Sequence, residues 1–315
     1  MLPTLDDIQR ARRAISGSAI RTPLVRLNVP DTPAEIYLKL ENLQPIGSFK
    51  IRGAANAMAH MTPGQLARGV LTASAGNMAQ GAAWRARELG IPCTVIAPDT
   101  APATKIAAIE RLGGRVVKVP FERWWRTFQE RAYPGIDATF IHAFDDPHVM
   151  AGNGTIALEI LEDLSDVDAI VIPWGGGGLT CGIAAAMRAL KADCRLFAAE
   201  VASGAPLAAS LAAGSPQVVD YRPSFVDGIG SKTVFAQMFE RARMLIDGAL
   251  VAGVNEVAAA VRLIAERNRV IAEGAGACPV ACALSGKAGG GKIVCIVSGG
   301  NIDLDKLCAA FGDRT

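Results

Sequence analysis

Apolar and polar positions change rhythm repeatedly along this chain. Short apolar runs, the mark of buried strands, alternate with longer segments whose apolar residues recur at helical spacing. Thr4 with Asp7 forms a capping pair that opens a helix running to about Ile15. Ile36 to Leu40 reads as a strand, and Arg52 to His60 as a helix. Strands follow at Gly69 to Ala73, Cys93 to Ala97, Arg115 to Val119 and Thr139 to His142. Between them lie helices at Met78 to Leu89, Ala103 to Leu112 and Trp124 to Phe128.

The second half continues the rhythm. Helix Ile156 to Leu164 leads to strand Ala169 to Pro173, helix Ile183 to Leu190 and strand Leu196 to Glu200. A looser stretch, Val201 to Gly230, contains Pro206, Pro216 and Pro223. Helix Val257 to Asn268, a further helix after Gly276, strand Lys292 to Val297 and a last helix complete the pattern. Strands and helices alternating at this spacing predict a parallel α/β sheet. With 315 residues, half of them hydrophobic, the chain exceeds what one core usually holds, so two lobes are expected.

Charge narrows the function classes. The 32 basic and 30 acidic residues nearly cancel, which argues against nucleic acid and against a polybasic membrane patch. The Arg123, Arg126, Arg131 cluster, interleaved with Trp124, Trp125 and Phe128, reads as an amphipathic helix. The acidic N-terminus resembles no signal peptide, and no transmembrane run is present. The seven scattered cysteines, none in a CxxC pair, suggest reduced thiols in a cytoplasmic protein and no zinc site.

Candidate chemistry lies in the loops. Lys50 stands in Pro45-Ile46-Gly47-Ser48-Phe49-Lys50-Ile51-Arg52, between apolar neighbours. A lysine on an apolar background loses solvation of its charge, so its pKa falls and its amine becomes a usable nucleophile or base. A snorkelling surface lysine is the alternative. Gly175 to Gly178 separate an apolar strand from a helix. That context offers free amides and a positive helix end to a phosphate. The strict dinucleotide fingerprint fails, because Thr180 or Cys181 occupies its last glycine position, so a nicotinamide oxidoreductase is a distant reading. Ser74-Ala75-Gly76-Asn77 is a second strand-to-helix loop, suited to a carboxylate or equally to a helix cap. Ser298-Gly299-Gly300-Asn301 ends the last strand, where a serine hydroxyl can meet a ring nitrogen or simply close a turn. Three such loops with one desolvated lysine suggest a phosphate-bearing cofactor joined to an amine.

These motifs, with Phe144-Asp-Asp-Pro and Ala151-Gly-Asn-Gly-Thr, resemble the threonine/serine dehydratase and serine racemase group of fold-type II pyridoxal-phosphate enzymes. They keep the family order and span residues 41 to 303. The resemblance implies a tryptophan synthase beta-like α/β fold with two open-twisted sheet domains flanked by helices. It implies a large cofactor-binding domain from residues 1–52 plus 148–315, and a small substrate-binding domain from 53–147. It implies pyridoxal 5'-phosphate as cofactor, an amino-acid substrate and a homodimer. Lys50 matches the Schiff-base lysine and general base, and Phe49 the residue beside the ring. Asn77 matches the partner of the cofactor's 3-hydroxyl, and Ser298 the partner of the ring nitrogen. Gly175, Gly176, Gly177, Gly178 and the Leu179 amide match the phosphate cradle. Ser74, Ala75, Gly76 and Asn77 match the substrate-carboxylate loop. A neutral serine at the ring nitrogen favours β-elimination.

Departures refine the expectation. Racemases of this group carry a second serine where this chain has Ala75, which argues for a dehydratase over a racemase. Met78 and Ala143 replace a histidine and a proline of the family pattern. Metal-dependent members pair a glutamate with an aspartate six residues on; here Glu200 is followed by Pro206, so no metal is expected. The short segment after the last helix leaves no expectation of a regulatory domain or of isoleucine feedback. The expected activity is elimination from a 3-hydroxy-L-amino acid, threonine- or serine-type or bulkier and aryl, to a 2-oxo acid and ammonia. A racemase and a catalytically idle binding module are the alternatives.

Overall fold

The structure, a computed structural model, describes residues 1–311. Among these described residues, ten strands form two sheets. They are β1 (Leu24–Arg26), β2 (Glu35–Lys39), β3 (Val70–Ala73), β4 (Cys93–Pro98), β5 (Arg115–Val119), β6 (Thr139–Phe140), β7 (Ala169–Pro173), β8 (Arg195–Val201), β9 (Gly248–Ala252) and β10 (Lys292–Ile296). Six of them run in the order β1-β2-β10-β7-β8-β9, and four in the order β5-β4-β3-β6. All pairings are parallel except β1 with β2, an antiparallel edge that the expected all-parallel pattern did not include. No helix among the described residues is long and apolar enough to cross a membrane.

The larger sheet is covered on both faces, so its central strands are apolar throughout. Along β7, Ile170 and Ile172 enter one core with helices Leu5–Ala14, Pro147–Asp163 and Gly178–Leu190. Ala169 and Val171 enter the other, with helices Val254–Asn268 and Gly274–Leu284. This is the two-residue period of a strand with both faces buried. In the smaller sheet, Val70 and Val95 face helices Lys50–Ala59 and Asn77–Leu89, while Leu71 and Ile96 face Trp124.

Several elements differ from expectation. The helix expected from Ile156 begins at Pro147, capped by Asp146, whose side chain accepts from the amides of His148 and Val149. Gly152 and Gly154 conceal its first turns in the sequence, yet packing requires them. A Cβ at Gly152 would lie 2.3 Å from the Arg52 carbonyl oxygen, and one at Gly154 2.7 Å from that of Gly182. The stretch after Val201 is not all loop: helix Pro206–Ala213 interrupts it, and helix Ala236–Leu245 with β9 follows it. The strand expected to reach His142 ends at Phe140. The N-terminal helix has both halves of the expected Thr4–Asp7 capping box.

The lysine helix Lys50–Ala59 is anchored by a buried ionic cluster. Arg52 donates to both oxygens of Glu41 at 2.8 Å and to Glu159 at 2.7 and 2.9 Å. Lys39 donates to Glu159 at 2.6 Å, and Thr22 to Glu41 at 2.6 Å. Removing one partner of such a cluster strands a buried charge. Arg52→Met is expected to destabilise the protein by about 3–5 kcal/mol in urea unfolding. A loss under about 1 kcal/mol, the range of exposed pairs, would show that the cluster carries no such burden.

Candidate active site

Each loop of the site starts where a parallel strand ends, the position at which α/β folds expose helix N-termini and free amides. The lysine loop is laced to the turn after β10. The Phe49 amide donates to the Ser298 carbonyl at 3.0 Å, and the Gly300 amide to the Gly47 carbonyl at 2.9 Å. Gly47 has φ of +72°, and a Cβ there would sit 2.6 Å from Asn301 Oδ1. Lys50 then begins its helix, with its Nζ 5.0 Å from the Phe49 ring centre and donating to the Ala143 carbonyl at 2.8 Å. Burial lowers its pKa to about 8, with Glu273 opposing the shift. Near pH 7 about a tenth of this amine is therefore unprotonated, far more than for a free lysine, and that form is the one a nucleophile or base requires.

The glycine loop follows β7. Gly177, at φ +89°, caps helix Gly178–Leu190 without a side-chain hydrogen bond, so the first-turn amides remain free for an anion. The loop is pressed between two aromatic rings. A Cβ on Gly176 would fall 2.0 Å from the Phe144 ring, and one on Gly177 2.4 Å from Trp174. Only glycine allows this approach. The third loop follows β3, where Ser74 Oγ accepts from the Gly76 amide at 3.2 Å. Asn77 is held on both sides: its Nδ2 donates to Glu273 Oε1 at 2.9 Å, and its Oδ1 accepts from Asn301 Nδ2 at 2.8 Å.

A cleft of about 790 Å³ joins these loops, within the range of small-molecule sites. Phe49, Lys50, Ser74, Ala75, Gly76, Asn77, Gly175, Gly176, Gly177, Gly178, Leu179 and Ser298 all line it. The residues fit a phosphorylated pyridine aldehyde: uncapped helix amides for the phosphate, a near-neutral amine for the aldehyde, and Asn77 and Ser298 for the ring's polar edges. Met78 and Ala143, two of the noted departures, line the same cleft.

Residues 15–299 match the family model described as "Pyridoxal-phosphate dependent enzyme". The chain belongs to this family. It is a pyridoxal-phosphate-dependent enzyme of the lyase group, similar to an L-threonine ammonia-lyase of Thermotoga maritima at 40% identity, over 96% of this chain and 77% of the relative. A catabolic L-threonine dehydratase of Staphylococcus aureus is 36% identical, over 96% and 90% of the two chains. Among solved structures, maize serine racemase superposes with a TM-score of 0.89 at 31% identity, over 98% and 97%. A threonine deaminase from Solanum lycopersicum gives 0.85 at 32% identity, over 97% and 92%.

The structure adds residues that sequence reasoning missed. Glu273 precedes a helix in a glycine-rich stretch with nothing to mark it, yet its carboxyl lies in the cleft of this enzyme. Burial, with Asp227, raises its pKa to about 7 against the Asn77 hydrogen bond. His142 lies behind the cleft, where its Nδ1 accepts from the Asp145 amide in the turn that carries Phe144. The aromatic pair divides: Trp124 lines the cleft, whereas Trp125 stacks on Phe128 at 5.7 Å and meets Phe235 at 5.8 Å. Glu200 accepts from the amides of Leu207 and Ala208 at 2.9 and 2.7 Å, so its oxygens serve the start of helix Pro206–Ala213.

The Glu273 geometry carries a pH dependence. A carboxyl raised from 4.5 to about 7 binds its proton more tightly folded than unfolded. Its contribution is full below the ordinary value and is lost as pH rises through about 7. Glu273→Gln, which keeps a neutral group there, is expected to raise the melting temperature of the cofactor-free protein at pH 8 and leave it unchanged near pH 4. An equal change at both pH values would contradict this account.

Proposed function

We propose that the enzyme is a dehydratase that removes the elements of water from a 3-hydroxy-L-amino acid and releases a 2-oxo acid and ammonia. The near-neutral Lys50 amine in a cleft that has Ala75, and no serine, at the next position of the carboxylate loop carries this reading. The named activity of the two curated relatives supports it.

In this reading the residues divide the work. The Ser74–Asn77 loop and its helix amides hold the substrate carboxylate. The first-turn amides of helix Gly178–Leu190 and the glycine loop hold the cofactor phosphate. Asn77 and Ser298 hold the ring's polar edge. Bound pyridoxal phosphate supplies an electron sink that acidifies the substrate α-carbon. Lys50 Nζ takes the α-proton, and the Ala143 carbonyl accepts from the resulting ammonium. The β-hydroxyl then leaves with a proton as water, which balances the proton Lys50 took from the α-carbon, and the released enamine adds water and loses ammonia to give the 2-oxo acid. Ala75 offers no proton for the opposite face, so elimination outruns inversion. The large domain, 1–52 plus 148–315, supplies most of the cofactor contacts, and the small domain, 53–147, supplies the carboxylate loop. The seven unpaired cysteines fit a reducing cytoplasm, and the working form is taken to be a homodimer.

The substrate is taken to be threonine- or serine-like, as the relatives' names suggest. A bulkier aryl side chain is the second reading, favoured because Phe121, Trp124 and Tyr221 all line the cleft. Keto-acid release across L-threonine, L-serine and threo- and erythro-phenylserine separates the two. For an aryl substrate, Trp124→Ala is expected to lower kcat/KM for phenylserine about tenfold or more while serine changes little. Equal losses on both would leave the small substrates as the reading.

Lys50→Ala tests the assignment itself. It is expected to abolish turnover, a loss of about 10²–10⁴-fold or more, together with the visible absorbance of lysine-bound cofactor. A variant that kept both would refute the role of Lys50. Chiral analysis of the remaining amino acid checks the racemase reading that the serine racemase likeness keeps in view.

A further inference from the structure

His142 is the buried histidine that the proposed reaction leaves unused. It is 4% exposed and sits directly before Ala143, whose carbonyl accepts from Lys50. Its ring is withdrawn from solvent. Instead its Nδ1 accepts from two backbone amides of the same turn, Asp145 at 2.8 Å and Phe144 at 3.3 Å. Two N–H groups aimed at one nitrogen leave no room for a proton there, so the neutral ring must carry its proton on Nε2. One face of the ring meets Phe128 at 4.4 Å, and the Phe144 ring stands edge-on at 4.7 Å and 89°. An imidazole in this place closes the turn as an asparagine side chain does in an Asx-turn.

The turn so closed does two things at once. It points the Ala143 carbonyl at Lys50 Nζ, and it lays the Phe144 ring against Gly176. Asp145 is pinned from outside by Arg131 at 2.6 Å and Arg241 at 2.5 Å. The inner end of the turn has the His142 ring as its side-chain anchor.

We propose that His142 is a positioning residue, whose neutral Nδ1 holds the 142–145 turn so that the Ala143 carbonyl directs the Lys50 amine. This rests on Lys50 acting as the base of the proposed reaction. Burial, with Arg131 and Lys50, lowers the His142 pKa to about 4 although Asp145 opposes it, so the ring stays an acceptor through the neutral range. The carbonyl orients the amine without adding a negative charge, which would raise the lysine pKa and keep it protonated.

Two variants separate the acceptor from the ring. His142→Asn places an oxygen where Nδ1 stands, and His142→Phe fills the aromatic cluster without an acceptor. In the holoenzyme, His142→Phe is expected to lose about 10–100-fold in kcat, with KM changed less than about threefold. His142→Asn is expected to recover most of that loss. Nitrogen NMR of the wild-type holoenzyme near neutral pH is expected to show an unprotonated Nδ1 and a protonated Nε2 on His142. The proposal is overturned if the phenylalanine variant keeps wild-type kcat. It is equally overturned if the asparagine variant falls as far as phenylalanine or fails to fold, or if Nδ1 carries a proton. Keto-acid release by the wild type in the same assay reports separately on the dehydratase reading.

Discussion

The charge cluster around Arg52 is the interaction on which the placement of the site depends. Two cations, Lys39 and Arg52, meet two carboxylates, Glu41 and Glu159, with almost no exposure to water. Burial works against the Arg52 charge, but Glu41 and Glu159 outweigh it and raise the guanidinium pKa. The planar fork of arginine reaches both carboxylates at once, which the single ammonium of lysine would not do. Thr22, Gln44 and Thr155 satisfy further oxygens and nitrogens of the cluster. It thereby ties the end of β2 and the start of the lysine helix to the middle of helix Pro147–Asp163. A buried cluster of this kind is a poor source of net stability, but it tolerates few alternative arrangements.

Two residues before Arg52, Lys50 meets the opposite environment. Its amine is also withdrawn from water, yet its hydrogen-bond acceptor is a neutral carbonyl. The same helix turn thus holds one cation fully charged and lets the next fall to about 8. The carboxylate that influences Lys50, Glu273, is itself raised to about 7 and tied to Asn77. Charge is scarce around the lysine and abundant one turn behind it. That division lets the pKa of the amine fall without loosening the helix that carries it.

Much of the fold was legible because its strands are short, apolar and bounded by glycine-rich turns. The loops after β3, β7 and β10 were legible for the same reason, and Ser74 to Asn77, Gly175 to Gly178 and Ser298 all line the cleft. Elements were missed where local signals conflict with packing. Gly152 and Gly154 look like helix breakers, but they let helix Pro147–Asp163 approach the Arg52 and Gly182 carbonyls. Helix Pro206–Ala213 was hidden among prolines, and its start is fixed by Glu200 from β8. Three-residue β1 and the small-residue strand β9 have no strong pattern of their own; they exist as strands because β2 and β8 offer them an edge.

The sequence by itself determined the chemistry on offer: one lysine on an apolar background, a glycine loop ahead of a helix, and two polar strand-end loops. These are properties of residue type and short spacing, and neighbours in the chain suffice to set them. Tertiary structure decided what each group meets. It alone brought the Ala143 carbonyl to Lys50, the Phe144 ring to Gly176 and the Glu273 carboxyl to Asn77. The reason is physical: desolvation, hydrogen-bond partnership and close packing depend on atoms remote in sequence, and those atoms become neighbours only when the two sheets and their helices are assembled.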